Sequence, residues 1–503
     1  MSNISIYETD ITARQTTYDP TKNIVYIPGF TCGYIKSNVA SGTSTGATAE
    51  VKADESHNIV AKAAQPSTKY FELKDDNTYV GTSDITTQAG KIYYEKVDNK
   101  LYKQINEVED VETFEKIYGV TPYKFQNNQT NPDNFTLNIN SGDYDKSYII
   151  AKELLTLGCS ILYEAFPIAQ TEANTVKDMY GSFFNTDKTG ELDKLEDLNT
   201  YNVKLITLGG YPALGNVDST TNPTKWNSTT LTEQLLTLAC TRNEAIAILD
   251  YEKGQITTPA QLHTVAQTLP TLDIATGPAG HFEDAKSYGA MFTPNCVFNT
   301  SYVLGNRTGL EKVELPASAA YLISFAKSVQ SNPNFYAIAG ATRGAIPFLS
   351  DEYPVVDMSI NGKQAEDLTP DDGVSVNPIT RVNPYGYCIW GNRTLRNNSG
   401  ELVASSFLNT RLLMCDIKKI MRNVALKLNF EIKSDILWLN FRSQVEPQLD
   451  KIIANNGIER YKLTQISTTE RGKMKIKLTV WCLYAVEKWD MEVELTDSYV
   501  SVQ

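Results

Sequence analysis

Residues 377–395, NPITRVNPYGYCIWGNRTL, contain two Asn-Pro steps, a tryptophan and two arginines. The stretch has no histidine and no carboxylate, and its cysteine stands alone. Proline fixes one backbone angle and glycine permits angles closed to other residues, so together they typically set the path of a turn. The stretch therefore indicates a structural join. We expect Trp390 to pack, and Arg381 and Arg393 to hydrogen-bond to carbonyl or carboxylate oxygens.

The composition is that of a globular protein with an acidic balance. The 503 residues are 41% hydrophobic and 21% charged, and the net charge is −13. At about 150 residues per domain, this length suggests roughly three domains. A chain this acidic repels phosphate backbones, so nucleic acid is a poor candidate partner. No secretory signal and no apolar run of about 18–20 residues is visible, so we expect a soluble product made in a cytoplasm.

Cysteine and histidine give no sign of a metal centre. The seven cysteines are far apart and form no CxxC pair, which predicts buried, reduced thiols. The three histidines, His57, His263 and His281, lack the spacing of metal ligands, so we interpret them as solvated or hydrogen-bonded side chains. We expect no metal and no cofactor.

Helix-like and strand-like segments alternate along most of the chain. Runs with helical spacing that stop at a glycine are followed by short apolar runs typical of buried strands. This alternation predicts an α/β core with mixed sheets flanked by helices. The predicted helices are 112–119, 147–158 and 231–243, and the predicted strands are 23–35, 159–166, 202–210 and 244–251.

Residues 36–105 differ from this pattern. Positions 36–56 are rich in Ser, Thr, Gly and Ala, and short β-like pieces broken by polar turns follow them. This composition predicts a small all-β insertion on the surface.

The C-terminal third changes from helical to strand periodicity. Apolar residues predict one amphipathic helix ending near Leu428 and a second from Ser434 or Asp435 to Gly457. Pro447 should kink or divide the second helix. Two period-2 strands with one buried face are predicted after it. The first alternates Lys473, Lys475 and Lys477 with apolar residues, and the second alternates Trp489, Met491, Val493 and Leu495 with Asp490, Glu492 and Glu494.

Catalytic motifs are weak. Asp250 ends the apolar run AIAIL, and carboxylates at the ends of strands can lie in the active sites of open α/β sheets. A cap in the following turn is the more ordinary role for such an aspartate. The Gly-rich segment 340–347 lacks the Lys-Ser/Thr of a phosphate-binding loop. We therefore do not expect an enzyme.

The opening stretch resembles the C-terminal signature of contractile tail sheath proteins of myovirus-type bacteriophages. The strand 23–35, the helix 112–119 and the strand that ends in Asp250 are similar to further elements of that family, in the same order. The matching signature residues are Asn377, Pro378, Ile379, Arg381, Gly386, Trp390, Gly391, Arg393, Thr394 and Leu395.

The resemblance implies a structural protein of the virion tail that is assembled in the host cytoplasm. Copies would polymerise helically around the tail tube and contract, driving the tube through the host envelope during genome ejection. The implied partners are other copies, the tube, the baseplate and the tail terminator, with no direct nucleic acid contact and no membrane insertion. The implied domains are an N-terminal arm (1–22), a core (23–35 and 106–360), the insertion (36–105), an inner tube-proximal domain (361–488) and a C-terminal arm (489–503).

Sheaths of this family are joined by strand exchange, in which terminal arms add strands to a neighbour's sheet. In this chain Ile4 and Ile6 would lie on one face of an N-terminal arm strand, tethered by residues 8–22. The lysines of 473–477 would form an acceptor strand for the acidic residues of 490–494, because opposite charges on adjacent strands attract. An intramolecular hairpin between these two strands is the alternative.

Three further points stay open from the sequence. The same features fit the sheath of a phage-derived injection particle or a type VI-like system. An α/β hydrolase-like enzyme that uses Asp250 is the alternative from another class. Helix 434–456 is our choice for the contact with the tube.

Overall fold

The structure is a computed structural model in which twenty segments of the chain are described. They are residues 21–29, 34–39, 49–53, 58–62, 70–73, 78–82, 92–96, 105–118, 126–127, 135–138, 145–166, 179–184, 187–212, 228–251, 256–269, 273–275, 282–299, 312–349, 354–467 and 472–487.

Strands occur along the whole described chain. The first half contains β1 Ile24–Gly29, β2 Tyr34–Val39, β3 Ala49–Ala53, β4 Asn58–Lys62, β5 Tyr70–Leu73, β6 Thr78–Thr82, β7 Ile92–Lys96, β8 Asn106–Val108, β9 Gln126–Asn127, β10 Phe135–Asn138, β11 Ser160–Ala165, β12 Leu205–Thr207 and β13 Ile246–Leu249. The second half contains β14 Asp273–Ala275, β15 Phe282–Asp284, β16 Gly289–Thr293, β17 Cys296–Asn299, β18 Lys312–Leu315, β19 Asp372–Gly373, β20 Asn377–Val382, β21 Gly386–Ile389, β22 Asn398–Ser399, β23 Ile458–Ile466 and β24 Lys475–Cys482.

The helices of the described residues separate the core strands and dominate the C-terminal part. They are α1 Val111–Tyr118, α2 Lys146–Thr156, α3 Ser228–Arg242, α4 Pro259–Gln267, α5 Ala317–Val329, α6 Gly340–Arg343, α7 Gly362–Leu368, α8 Leu408–Lys427 and α9 Asp435–Ala454. Residues 179–183 are also helical, and three 3₁₀ segments, 193–196, 285–288 and 404–406, complete the set.

A central mixed sheet of eight strands forms the core, in the order β21-β20-β16-β13-β12-β1-β11-β8. Its six inner strands are parallel, and β8 and β21 pair antiparallel at the two edges. Strands β1, β11 and β13 are buried along their full length, as expected for parallel strands covered on both faces. The predicted α/β class with a mixed sheet and flanking helices is confirmed.

The predicted core elements match the structure closely. Helices α1, α2 and α3 and strands β11, β12 and β13 lie within or next to the predicted ranges. The predicted strand 23–35 is different: β1 ends at Gly29, and Tyr34 begins β2, which belongs to another sheet. A Cβ on Gly29 would meet the Tyr163 ring, so the chain leaves the core sheet where only glycine fits.

The second sheet, also of eight strands, has the order β3-β4-β2-β7-β5-β6-β10-β9. Six of its strands lie between Tyr34 and Lys96, whereas β9 and β10 follow α1 in the chain. The sheet therefore includes residues beyond position 105. That residues 36–105 form a separate surface insertion stays a prediction.

The C-terminal part has a hydrophobic cluster of its own. Helices α8 and α9, which we call the helix pair, pack together through Leu413, Ile417, Val445 and Leu449. The antiparallel strands β23 and β24, which we call the terminal hairpin, add Leu463 and further side chains to this cluster. The core cluster contains a different set of residues.

Helix α9 begins as predicted and differs in its middle. The Ser434 hydroxyl accepts a hydrogen bond from the Leu437 N–H, which confirms the predicted cap. Helix α9 continues through Pro447 to Ala454, so Pro447 does not divide it, and the predicted alternative of a kink stays a prediction. Packing of Val445 and Leu449 on both sides of the proline holds the helix together despite the missing hydrogen bond.

Candidate functional site

The stretch 377–395 forms one edge of the central sheet. Strand β20 pairs in parallel with β16 and turns back antiparallel into β21, so that Val382 lies opposite Gly386. Gly386 has a φ of +83°, which favours glycine at the end of this tight turn. The predicted role of glycine in fixing the backbone is confirmed here.

Asn377 connects three segments at this edge. Its side-chain amide donates to the carbonyl oxygens of Met291 and Arg393, at 3.1 and 2.8 Å, and its Oδ1 accepts from the Arg393 N–H at 2.7 Å. Gly391 permits this close approach, since a Cβ there would lie 2.7 Å from the same Oδ1 atom. The Thr394 hydroxyl donates to the Ser405 carbonyl, and the Pro378 carbonyl accepts from the Trp390 N–H.

Arg393 is buried and makes the charged contacts that the sequence predicts. Its Nη2 atom lies 3.4 Å from Asp371 Oδ1 and 2.5 Å from Glu487 Oε2. Its guanidinium lies over the Phe407 ring, with Cζ 4.9 Å from the ring centroid. The signature arginine therefore joins the core edge to the segment that follows the terminal hairpin.

Two other signature residues differ from the prediction. Trp390 is 43% exposed, so the prediction that it packs is wrong. Ile389, which is fully buried, fills the core position, and Trp390 comes one residue later at the end of β21, where the side chain extends toward solvent. Arg381 is exposed, and its side chain makes no hydrogen bond or ion pair among the described residues, contrary to our expectation.

Strand β24 carries the predicted acceptor lysines. Ile476, Leu478 and Val480 pack against the helix pair, whereas Lys475 and Lys477 are exposed. Lys473 is also exposed and lies before the strand begins. The period-2 prediction for this segment is confirmed.

The sequence reasoning missed β23, which is the partner of β24 in the described chain. Leu463 lies opposite Leu478, and Lys462 opposite Thr479. The alternation of Tyr461 and Leu463 with Lys462 and Thr464, directly after the helix stop at Gly457, was the signal that could have revealed it.

The outward face of the terminal hairpin is basic. Arg460 lies opposite Trp481 and stacks on its ring at 4.5 Å. Lysines 462, 475 and 477 extend the same face, since side chains two positions apart point to the same side of a strand. In a chain of net charge −13, this face stands out as a surface for an acidic partner.

The connection between α8 and α9 carries an apolar patch, which we call the tip. The side chains of Phe430 and Ile432 are almost fully exposed. The remaining residues of the tip are Leu426, Ile436 and Leu439, which are also exposed. Several large apolar side chains that are exposed within one short part of the chain are typical of an interaction site.

The helix pair is joined to the core by polar contacts of α8. Arg422 makes a two-point contact with Glu244, at 2.6 and 2.9 Å. Lys204 lies 2.9 Å from Asp416 Oδ2 in a buried ion pair. Paired and directional contacts of this kind fix the orientation of the helix pair on the core.

Lys419 completes this joint with a buried amine. It donates to Asn202 Oδ1 and to the Val203 carbonyl, both at 2.8 Å. Burial, and to a smaller extent the positive charge of the neighbouring Lys204, lower the pKa of Lys419 to about 7.

The candidate acid Asp250 is bonded to the first turn of a helix. It is buried, and its carboxylate accepts from the Ser318 hydroxyl at 2.7 Å and from the Ser318 N–H at 3.3 Å. Burial raises the pKa of Asp250 to about 6, and the two bonds from Ser318 oppose this rise. Asp250 therefore binds the first turn of α5, which lies far along the chain. The turn that follows Asp250 lies outside the described residues, so a cap there stays a prediction.

The other predicted features fall partly within the described residues. His263 contacts the Val374 carbonyl at 2.9 Å, as expected for a hydrogen-bonded histidine. Cysteines 159, 240, 296, 388 and 415 are buried free thiols, as predicted. No group of three possible metal ligands and no helix suited to spanning a membrane occurs in the part of the chain that the structure describes.

The predicted arm strands lie outside the described residues. This applies to Ile4 and Ile6 in the N-terminal arm and to Trp489, Met491, Glu492, Val493, Glu494 and Leu495 in the C-terminal arm. Their pairing stays a prediction.

No protein-family model and no curated protein matches the chain. Among solved structures, it is similar to the sheath of an extracellular contractile injection system, PVC, in the contracted state (12% identity, 78% of this chain and 87% of that chain, TM-score 0.48). It is also similar to a chain of the anti-feeding prophage baseplate (13% identity, 80% of this chain and 90% of that chain, TM-score 0.49). A third similar structure is the sheath tail protein of Desulfitobacterium hafniense (10% identity, 92% of this chain and 97% of that chain, TM-score 0.35). Two of these three neighbours are named as sheath proteins, and one is named as part of a baseplate.

Proposed function

We propose that the chain is the subunit of a contractile tail sheath. Copies polymerise helically around a tail tube through strand exchange by the terminal arms, and the sheath contracts to drive the tube through a host envelope. The resemblance of 377–395 and of the ordered upstream segments to phage sheath proteins motivates this choice. The sheath of an injection particle or a type VI-like system is the alternative.

The terminal hairpin is the observation that carries the proposal. In the described chain, β23 and β24 pair only with each other, and one face of the pair packs on the helix pair. The outer edge of each strand therefore presents main-chain N–H and C=O groups to a further strand. Two-stranded sheets are marginal by themselves, and added strands from neighbours would complete this one.

Charge indicates which arm pairs with which edge. Lys475 and Lys477 are exposed on β24, and the C-terminal arm alternates Glu492 and Glu494 with apolar residues. Opposite charges on adjacent strands contribute roughly 0.2–1 kcal/mol for each pair. We infer that the acidic arm of a neighbour adds beside β24. The neutral N-terminal strand with Ile4 and Ile6 would then add beside β23.

The tip is our candidate for a second contact in the assembled particle. Its apolar side chains come from the end of α8, from the connection and from the first turns of α9, and the last of these belong to the helix 434–456 predicted to meet the tube. Burying an exposed isoleucine or phenylalanine stabilises a contact by roughly 1.5–3 kcal/mol. We propose that these residues bind the tube, with baseplate and terminator proteins at the ends of the polymer.

The alternative of a hydrolase-like enzyme depended on Asp250 as a catalytic residue, and the environment of Asp250 does not suit that role. Asp250 is buried and bonded to the first turn of α5, so a substrate cannot reach its carboxylate. In the proposed function the energy for contraction is stored when the sheath assembles, without a cofactor.

The experiment that tests the proposal is a charge reversal with rescue. Lys475→Glu with Lys477→Glu should reduce pelletable polymer more than tenfold, because like charges then face each other. Adding Glu492→Lys and Glu494→Lys to the same chain should restore it. The control reverses Lys363 and Lys451, two exposed lysines outside the hairpin, and should leave the yield unchanged. Polymer that forms equally well in the reversed variant would refute the strand assignment.

A further inference from the structure

The segment that leaves β24 is bound to the core edge at two points. Residues 483–487 follow the terminal hairpin and precede the C-terminal arm. Glu487 pairs with Arg393 at 2.5 Å, and the Tyr484 ring lies 5.2 Å from the ring of Phe407. We call the group Arg393, Phe407, Tyr484 and Glu487 the clamp.

The clamp is a continuous series of side-chain contacts, with the ion pair of Arg393 and Glu487 beside the tilted ring pair of Phe407 and Tyr484. The guanidinium of Arg393 lies over the Phe407 ring, with Cζ 4.9 Å from the ring centroid. The Phe407 ring in turn contacts the Tyr484 ring. Arg393 is 2% exposed, and its Nε and Nη1 atoms have no hydrogen-bond partner. A buried guanidinium depends strongly on its counter-charges.

Of the two carboxylates near Arg393, Glu487 is the better placed. Its oxygen is closer than that of Asp371, which is 3.4 Å away. The Asp371 side chain is also more exposed, at 47% against 25% for Glu487, so water screens its charge more. Detaching residue 487 would leave Arg393 with the weaker partner only.

The clamp lies where it can affect an alternative pairing of the C-terminal arm, in which the arm folds back onto its own subunit. Six residues, 483–488, separate β24 from the acidic strand segment that begins at Trp489. A connection of this length allows a chain to turn back and pair with the strand it has just left. The acidic arm would then occupy the β24 edge of its own subunit.

We propose that the clamp binds the root of the C-terminal arm to the core and thereby prevents the arm from pairing with its own β24. This inference rests on the proposed strand exchange, since it keeps the β24 edge open and the arm available for a neighbour. Arg393 acts as a positioning residue. The stretch 377–395 thus contributes both the sheet edge and the arginine that directs the arm.

The test is hydrogen exchange followed by mass spectrometry on the full-length subunit before assembly. Glu487→Gln and Arg393→Met should each speed exchange of the amides in 483–487 at least tenfold. The double variant should exchange no faster than either single variant, because both remove the same pair. Asp371→Asn should change the rate less than threefold, and Glu459→Gln, on an exposed part of β23, should have no effect.

A second readout separates the clamp from the proposed function. Polymer yield should fall in both clamp variants, while exchange within β23 and β24 stays slow. Wild-type exchange rates in Glu487→Gln would overturn the clamp, whether or not the chain polymerises. Additive effects in the double variant would overturn the pairing of the two residues. If the clamp variants show the expected exchange rates but the wild-type chain forms no polymer, the clamp stands and the sheath proposal is refuted.

Discussion

Asn377 shows how one buried amide can hold three chain segments in register. It bonds to main-chain atoms of Met291 and Arg393, and Gly391 leaves room for it. The sequence predicted that this stretch is a structural join. It could not predict the partners, since they come from β16 and from a turn whose position depends on the whole sheet.

Asn377→Ala should lower the free energy of unfolding by about 2–4 kcal/mol, because two carbonyls and one N–H lose their buried partner. Arg381→Ala changes an exposed signature residue whose side chain has no hydrogen bond or ion pair among the described residues, and it should change the free energy of unfolding by less than about 0.5 kcal/mol. Urea unfolding of both variants checks this. Equal effects of the two substitutions would show that the bonds of Asn377 do not hold the edge.

Lys419 should make stability depend on pH. Its pKa is lowered to about 7 in the folded chain by burial, and an unfolded lysine has a pKa near 10.4. Between these values the unfolded chain binds the extra proton, so stability rises with pH by up to about 1.4 kcal/mol per unit. Below about pH 7 this slope disappears.

Lys419→Met should remove this contribution from the slope. Urea unfolding at pH 7.5 and 9 measures it as the difference between wild type and variant, which cancels the titration of other groups. Lys451→Met, at an exposed lysine of α9, serves as the control and should keep the wild-type slope. If the free energy of unfolding changes equally with pH in wild type and in Lys419→Met, the Lys419 amine is not neutral in the folded chain at these pH values.

At the scale of elements, periodicity predicted the helices and strands with strong local patterns. Helices α2, α3, α8 and α9 show this, and so does β24 with its alternating lysines. The sequence missed β23 because its polar residues dominate the pattern, and its apolar side chains face the helix pair. Pro447 does not divide α9 because packing of side chains on both sides of the proline outweighs one lost hydrogen bond.

The tip should matter for binding and not for folding. Phe430→Ser, Ile432→Ser and Ile436→Ser together remove side chains that are mostly in solvent, so the melting temperature should change by less than about 2 °C. Co-sedimentation of sheath with tube should fall at least tenfold. The control, Ser443→Ala with Gln444→Ala on the exposed side of α9, should bind normally. Loss of stability without loss of binding would show that the tip serves the fold.

At the scale of the whole molecule, the sheet order could not be derived from the sequence. The parallel strands come from distant parts of the chain, and β20 joins them after more than eighty intervening residues, as its register with Phe292 and Thr293 shows. The partners of Asp250 and Arg393 could not be predicted for the same reason, since they lie far from these residues along the chain. The arrangement leaves a central core, a helix pair fixed to it by polar contacts and a hairpin with open edges.

The account's central claim is that the chain ends join one copy to the next. Electron microscopy of purified full-length protein beside a chain trimmed to residues 23–488 tests it most directly. Full-length protein should form long hollow cylinders. The trimmed chain should keep its melting temperature within a few degrees and remain as discrete particles. Cylinders of equal length from the trimmed chain, or discrete particles from both, would contradict the claim.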